Sequence, residues 1–168
     1  MNDKERKKAI LNLLQNKVSV MSGTEIAGIM GVTRQIIIKD IALLRAAGYK
    51  INATPRGYAM QKERGVKTVF AVKHTKESIE KELSIIVQNG GRILDVIVEH
   101  PLYGEIRGNL NIETIGDIRR FLAKMETAHA KPLFTLSNGI HLHTVEADSQ
   151  ERLEKIKNAL KEKGFLDL

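Results

Sequence analysis

GVTRQIIIKDIALLRAAGYKI, running from Gly31 to Ile51, sets three consecutive isoleucines, Ile36, Ile37 and Ile38, between cations. An amphipathic helix of a water-soluble protein buries one stripe and not its whole circumference, so these three side chains must meet different surroundings. Thr33 is placed to cap a helix that runs from Arg34 to Ala47 and stops at Gly48. On it Ile37, Ile41 and Leu44 recur at helical spacing and form the core stripe. Arg34, Gln35, Ile38 and Lys39 share the other face, near the start.

Upstream, Ala9, Ile10, Leu13 and Leu14 mark a first helix over 4–16. Ser22-Gly-Thr-Glu25 is a capping box opening a short second helix that Gly31 ends. Two helices across the tight turn MGVT make a helix-turn-helix, whose second helix enters the major groove by its N-terminal residues. There Arg and Lys contact guanine or phosphate, Gln pairs with adenine, and an aliphatic side chain meets a thymine methyl. Thr33, Arg34, Gln35, Ile38 and Lys39 are therefore the expected DNA-reading set, with Ile36 beside them. Downstream, YKINATPRGYAM alternates about Pro55-Arg56-Gly57 as a β-hairpin wing, with Arg56 at its tip to reach backbone or minor groove. A three-helix module that meets another protein through Ile36 and Ile38 is the competing reading. The stretch SGTEIAGIMGVTRQIIIKDIALLRAAGYKI…RGYAM resembles the winged helix-turn-helix of biotin-repressor-type regulators, over residues 5–60.

Charge argues for DNA. Residues 1–66 hold 12 Lys+Arg against 5 Asp+Glu, a net +7, whereas residues 67–168 hold 15 against 15. A basic head on a neutral body is the pattern of a polyanion-binding module joined to a domain with other work. The 168 residues suffice for one domain or two small ones, and the division is expected at 1–62 and 67–168, with QKERGV (61–66) as linker. No apolar run approaches the ~20 residues a membrane helix needs, and MNDKERKKAILNLLQNK has no secretory h-region. A cytoplasmic protein with no membrane partner is expected. Without cysteine, a metal site must be built from histidine and carboxylate.

From residue 68 the pattern changes. TVFAVKH reads as a strand, TKESIEKELSIIVQNG as a helix, RILDVIVEH and LYGEIRGNLNI as strands, and ETIGDIRRFLAKMETAHA as a helix. LFTLS and GIHLHTVEA read as strands paired around Asn138-Gly139. Asp148 is the expected cap of the final helix, SQERLEKIKNALKEKG. The fold class is α+β: an N-terminal winged helix-turn-helix followed by an antiparallel sheet with helices on one face.

All five histidines, 74, 100, 129, 141 and 143, follow the linker. His141-Leu-His143 lies on a strand, so both imidazoles leave the same face with Cα atoms roughly 6–7 Å apart. That spacing chelates one ion. His74 ends a strand where a helix begins. A surface or satisfied core histidine is the ordinary alternative at each position. Glu77, Glu80 and Glu82 are all available to complete a ligand set; on a straight helix Glu82 lies about 12 Å from His74.

VFAVKHTKESIEKEL, VIVEHPLYGEIRGNLNI and GIHLHTVEA resemble the bacterial three-histidine domain. The whole architecture is similar to the niacin-responsive repressors of NAD biosynthesis genes. That resemblance implies His74, Glu82, His141 and His143 as metal ligands and His100 as a further characteristic residue, an effector-site candidate. His129 matches no motif and is taken as surface. Three imidazoles and a carboxylate favour Ni²⁺, Zn²⁺ or Fe²⁺ over Mg²⁺ or Ca²⁺, and they leave two octahedral positions open. Nicotinic acid, the effector the resemblance implies, offers a ring nitrogen or an anionic oxygen to such a position. The expected function is then a homodimeric repressor, not an enzyme, that binds a double-stranded DNA operator with nicotinic acid as corepressor. A bifunctional metal-dependent enzyme on a DNA-binding head is the alternative. Against it stand the small second domain and the lack of a nucleotide-binding glycine loop, a nucleophile elbow or an H-E-x-x-H motif. An architectural nucleic-acid protein, indifferent to small molecules, is the third reading.

Overall fold

Asn2, Ser22 and Thr33 each accept a backbone N–H three residues on, and each opens a helix: α1 (Asp3–Asn16), α2 (Gly23–Met30) and α3 (Arg34–Ala46). The structure is a computed structural model that describes residues 2–61 and 64–166. It divides into two compact units, Met1–Lys62 and Glu63–Leu168. Of the expected linker 61–66, residues 62 and 63 lie outside the described residues.

In the first unit Gly31 takes the left-handed conformation, φ 65°, that turns the chain from α2 towards α3. The wing follows as β1 (Ile51–Thr54) paired antiparallel with β2 (Gly57–Met60). Met21, just before α2, bridges to Tyr58 of β2 and ties the wing to the helices. A Cβ at Gly57 would sit 2.1 Å from the Met21 carbonyl oxygen, at a φ of 139°. Only glycine permits that approach. Ile10, Leu14, Ile26, Ile37, Ile41, Leu44 and Ile51 close the core from all these elements. Each such side chain contributes about 1.5–3 kcal/mol by leaving water.

The second unit runs β3 (Val66–Lys73), a 3₁₀ turn at Lys76–Ser78, α4 (Ile79–Gln88), β4 (Arg92–His100), β5 (Gly104–Ile112), α5 (Ile115–Thr127), a 3₁₀ helix at Leu133–Ser137, β6 (Ile140–Ala147) and α6 (Gln150–Glu162). The sheet order is β3-β6-β4-β5, antiparallel throughout. Alternate strand residues such as Phe70, Val72, Val98 and Val145 pack with Leu83, Ile86, Ile118 and Ile156 of the helices. This is the α+β class the sequence pattern predicts. No helix among the described residues is long and apolar enough to cross a membrane.

Two local expectations fail. LFTLS is a 3₁₀ helix and not a strand, so no hairpin forms at Asn138-Gly139. Thr135 Oγ donates to the Pro132 carbonyl at 2.8 Å and Ser137 Oγ to the Phe134 carbonyl at 3.3 Å, giving this backbone a local alternative to a sheet ladder. The cap of α6 is Ser149, whose hydroxyl accepts from Arg152 N at 3.2 Å. Asp148 instead accepts from the Arg152 guanidinium at 2.9 Å.

Candidate metal centre and nucleic-acid interface

On α3, Ile37, Ile41 and Leu44 are buried, and Thr33, Arg34, Gln35 and Lys39 are exposed. Ile36 and Ile38 are half-buried, so neither is as open as Lys39 beside them. Arg34 lies along the start of α2: a Cβ at Gly23 would stand 3.5 Å from its Cγ and Nε and 3.5 Å from the Tyr58 ring. Arg56 is exposed at the wing tip, where its N–H donates to Thr54 Oγ at 3.2 Å.

A buried ion pair holds this surface in place. Arg6 Nε on α1 donates to Asp40 Oδ2 on α3 at 2.6 Å, and Arg6 Nη2 reaches Asp40 Oδ1 at 3.3 Å. Both side chains are buried. The sequence reading missed this pair, because nothing local relates charges 34 residues apart. The available signal was Asp40 itself, which continues the buried stripe of Ile37, Ile41 and Leu44.

In the second unit four side chains converge under the sheet. His74 follows the end of β3, Glu82 projects from the first turns of α4, and His141 and His143 stand two residues apart on β6. Their side chains are 1–5% exposed. Glu82 Oε2 contacts His74 Nε2 and lies 3.6 Å from His141 Nε2, while Oε1 lies 3.1 Å from His143 Nε2. The 12 Å expected between His74 and Glu82 does not arise. The 3₁₀ turn at Lys76–Ser78 folds the chain back, and the α-helix begins only at Ile79. Glu82 is also the glutamate that shares the apolar face of Ile79, Leu83 and Ile86, whereas Glu77 and Glu80 are exposed.

The outer nitrogens are all engaged by main-chain carbonyls. His74 Nδ1 bonds Thr75 O at 2.7 Å, His141 Nδ1 bonds Gly139 O at 2.9 Å, and His143 Nδ1 bonds Asp95 O at 2.7 Å. A carbonyl only accepts, so each ring carries its proton on Nδ1 when neutral and aims the Nε2 lone pair at Glu82. Asp95 sits at an irregularity in β4, and its carboxylate accepts from Thr144 N at 2.9 Å and from Arg107. Gly139, in the left-handed turn after the 3₁₀ helix, also accepts from His74 N at 3.4 Å.

Three inward lone pairs facing an acceptor-only carboxylate require a shared cation: a proton or a metal ion. Burial works against charge at Glu82, His74 and His143, yet opposite neighbours prevail. The three imidazoles hold the Glu82 carboxyl well below the usual carboxylate range, and Glu82 raises His74 and His143. Glu82 Oε1 is buried with no hydrogen-bond partner among the described residues. One donor atom each from His74, Glu82 and His141 lies within 4.8 Å of the others. The donor set suits a borderline divalent ion. Beside it is a cavity of about 50 Å³ walled by Ile79, Leu110, Phe121, Met125, Leu133 and Phe134.

His100 is elsewhere. It is half-buried at the β4–β5 turn, where Nδ1 accepts from Leu102 N at 3.1 Å and Tyr103 N at 3.3 Å, and its ring stacks on Tyr103. It does not line the cavity. His129 is exposed after α5.

Comparison with known families matches residues 6–59 to an HTH domain and residues 67–167 to the 3H domain. The chain is 49% identical over 163 residues to a Thermotoga maritima protein named probable transcription repressor NiaR, covering 96% of this chain and 93% of that one. It is 34% identical over 166 residues to the Bacillus subtilis transcription repressor NadR, covering 96% and 92%. An uncharacterized protein of Methanothermus fervidus is 36% identical over 126 residues, 70% of this chain and 20% of its own length.

Proposed function

The chain belongs to the family of transcription repressors that join an HTH domain to a 3H domain, and from that membership we propose a metal-dependent repressor of NAD biosynthesis genes with nicotinic acid as corepressor. The observation that carries the regulatory half is the convergence of three Nε2 atoms on Glu82, each ring pinned from behind by a main-chain carbonyl. In this reading residues 1–62 bind the operator and residues 67–168 sense the effector. Thr33, Arg34, Gln35, Ile38, Lys39 and Arg56 meet DNA.

His74, Glu82, His141 and His143 would hold a divalent ion of the Ni²⁺, Zn²⁺ or Fe²⁺ type. Bound there, the ion supplies a Lewis-acidic position to a ligand nitrogen or oxygen. Beyond Glu82, His141 and His143 the cavity walls are apolar and aromatic, and no lysine or arginine lines them among the described residues. The negative charge of a pyridine carboxylate therefore finds its counterpart in the ion, and its ring among Phe121, Phe134 and Leu133. To act as corepressor, the effector has to bind the DNA-binding conformation more tightly than the other. A ligand shifts an equilibrium only through such a difference.

Apart from the metal-ligand set, the cavity walls offer no acid, base or nucleophile among the described residues. That supports a sensor over a metal-dependent hydrolase. The test is a DNA-binding titration with and without nicotinate, on metal-loaded and on chelated protein. Operator affinity that rises with nicotinate only in the metal-loaded protein supports the reading. Turnover of nicotinate or a related amide defeats it in favour of the enzyme, and indifference to nicotinate in both preparations defeats it outright.

A further inference from the structure

β4 does not run in step with its neighbour β6. Between the pairs Ile93–Val145 and Ile97–Leu142 it advances four residues where β6 advances three. The extra residue makes a bulge, and Asp95 stands in its middle. A bulge leaves a residue out of the ladder and re-aims the groups beside it. Here the Asp95 carbonyl turns to His143 Nδ1, at 2.7 Å. The N–H of Thr144, next along β6, is taken instead by the Asp95 carboxylate, with Oδ1 accepting at 2.9 Å. Oδ2 accepts from Arg107 of β5. One residue, 5% exposed, thus makes three contacts on two neighbouring strands.

We propose that Asp95 is a positioning residue for His143: its carboxylate holds the bulge open, and the open bulge gives the ring its Nδ1 acceptor. The proposal rests on the reading of the His/Glu cluster as a metal centre and deepens it. The physical argument is a competition for one carbonyl. Without the carboxylate, Thr144 N–H loses its acceptor, and a part-buried N–H has to find another. The Asp95 carbonyl, directed at the adjacent residue of β6, is the acceptor at hand. Closing the bulge to reach Thr144 draws that carbonyl off the ring. His143 then loses what fixes its proton on Nδ1, and with it the Nε2 lone pair aimed at Glu82. His74 and His141 keep their aim, since their carbonyls belong to Thr75 and Gly139. The Arg107 side chain is half exposed, so removing the carboxylate strands no buried charge.

The experiment measures Ni²⁺ affinity by competition with a chromophoric chelator. It compares the full chain with Asp95→Ala, Asp95→Asn, His143→Ala and the double variant Asp95→Ala/His143→Ala, and thermal melting of the chelated proteins confirms that each is folded. Asp95→Ala is expected to weaken binding about ten- to a hundredfold, the usual effect of losing a group that orients a ligand. Asp95→Asn keeps an oxygen for Thr144 N–H and is expected to bind nearly as the unaltered chain does. Once His143 is gone, Asp95→Ala should cost nothing more, because the ring it serves is absent. Nitrogen-15 shifts of the His143 ring, in chelated protein at a pH where it is neutral, should report the Nδ1–H form in the unaltered chain and a mixture of tautomers in Asp95→Ala. An Asp95→Ala protein that binds as the unaltered chain does, or that loses as much again in the absence of His143, overturns the proposal. An unaltered chain that binds no Ni²⁺ overturns the metal reading instead, and the tautomer of His143 then decides for or against Asp95 by itself.

Discussion

Asp40 of α3 accepts two hydrogen bonds from the guanidinium of Arg6 on α1, and Arg6 also reaches Asp3 at 3.0 Å. The recognition helix is therefore oriented by charge as well as by the Ile37–Ile41–Leu44 stripe. Asp40→Ala leaves Arg6 buried without its main partner and is expected to lower both stability and operator affinity. Replacing the two together by Met and Leu is expected to recover most of the stability, because the cost lies in the uncompensated charge. Urea unfolding of the three variants checks this, and additive losses would contradict it.

Ile37 and Ile38 are neighbours with different fates. Ile37→Ala is expected to cost about 2–5 kcal/mol of stability, as truncating a fully buried isoleucine does. Ile38→Ala is expected to cost less stability and to weaken operator binding. Chemical denaturation beside operator titration separates the two effects.

Arg34→Ala and Gln35→Ala are each expected to lose about 1–3 kcal/mol of discrimination at one base pair. Lys39→Ala is expected to weaken all sequences alike and to flatten the salt dependence of binding. A panel of single-base operator variants at two salt concentrations reads both.

The His/Glu cluster predicts opposite pH trends for the chelated and the metal-loaded protein. In the chelated protein His74 and His143 lie above the ordinary imidazole value of 6.5. Their contribution is complete below 6.5 and fades as pH rises through the raised values. Glu82 is depressed below 4.5, so its contribution is present above 4.5 and fades as pH falls towards the depressed value. The cluster thus stabilises the metal-free unit most between 4.5 and 6.5. A metal competes with those protons, so the stabilisation it adds should grow as pH rises through and beyond that range. Melting temperatures with chelator and with Ni²⁺ or Zn²⁺, at pH 5, 6.5 and 8, test the crossing.

His141→Ala is expected to abolish most of the nicotinate response and to preserve basal, salt-sensitive DNA binding, since α3 lies in the other unit. Typical couplings between such sites are about 1–3 kcal/mol. A His141→Ala protein that responds fully after chelation would move the sensor elsewhere.

What the sequence made legible were periodic features: the α3 stripe, the capping box at Ser22, the wing, and the H-x-H pair on a strand. What it hid was set by distance or by ambiguous local signals. Arg6 and Asp40 look like surface charges until the fold joins them. Asn138-Gly139 signals a left-handed turn in either a hairpin or a helix end, and the hydroxyls of Thr135 and Ser137 decide for the helix end. Helical phase separates Glu82, which recurs with Ile79, Leu83 and Ile86, from Glu80, and Glu77 drops out only because the 3₁₀ turn keeps it off α4.

The three imidazoles are hydrogen-bonded from behind by carbonyls of Thr75, Gly139 and Asp95, while Phe134 stacks on His141 and Phe134 and Phe165 stand edge-on to His74. The hydrogen bonds that aim the rings are thus written in the path of the chain. Gly139 is where that path is tightest, with φ 89° and a hypothetical Cβ 2.9 Å from the His74 carbonyl oxygen. In a saturation scan scored by metal retention, intolerance should concentrate at His74, Glu82, Asp95, His141, His143, Gly139 and Phe134, while Thr75, whose carbonyl and not its side chain holds the ring, accepts broad replacement.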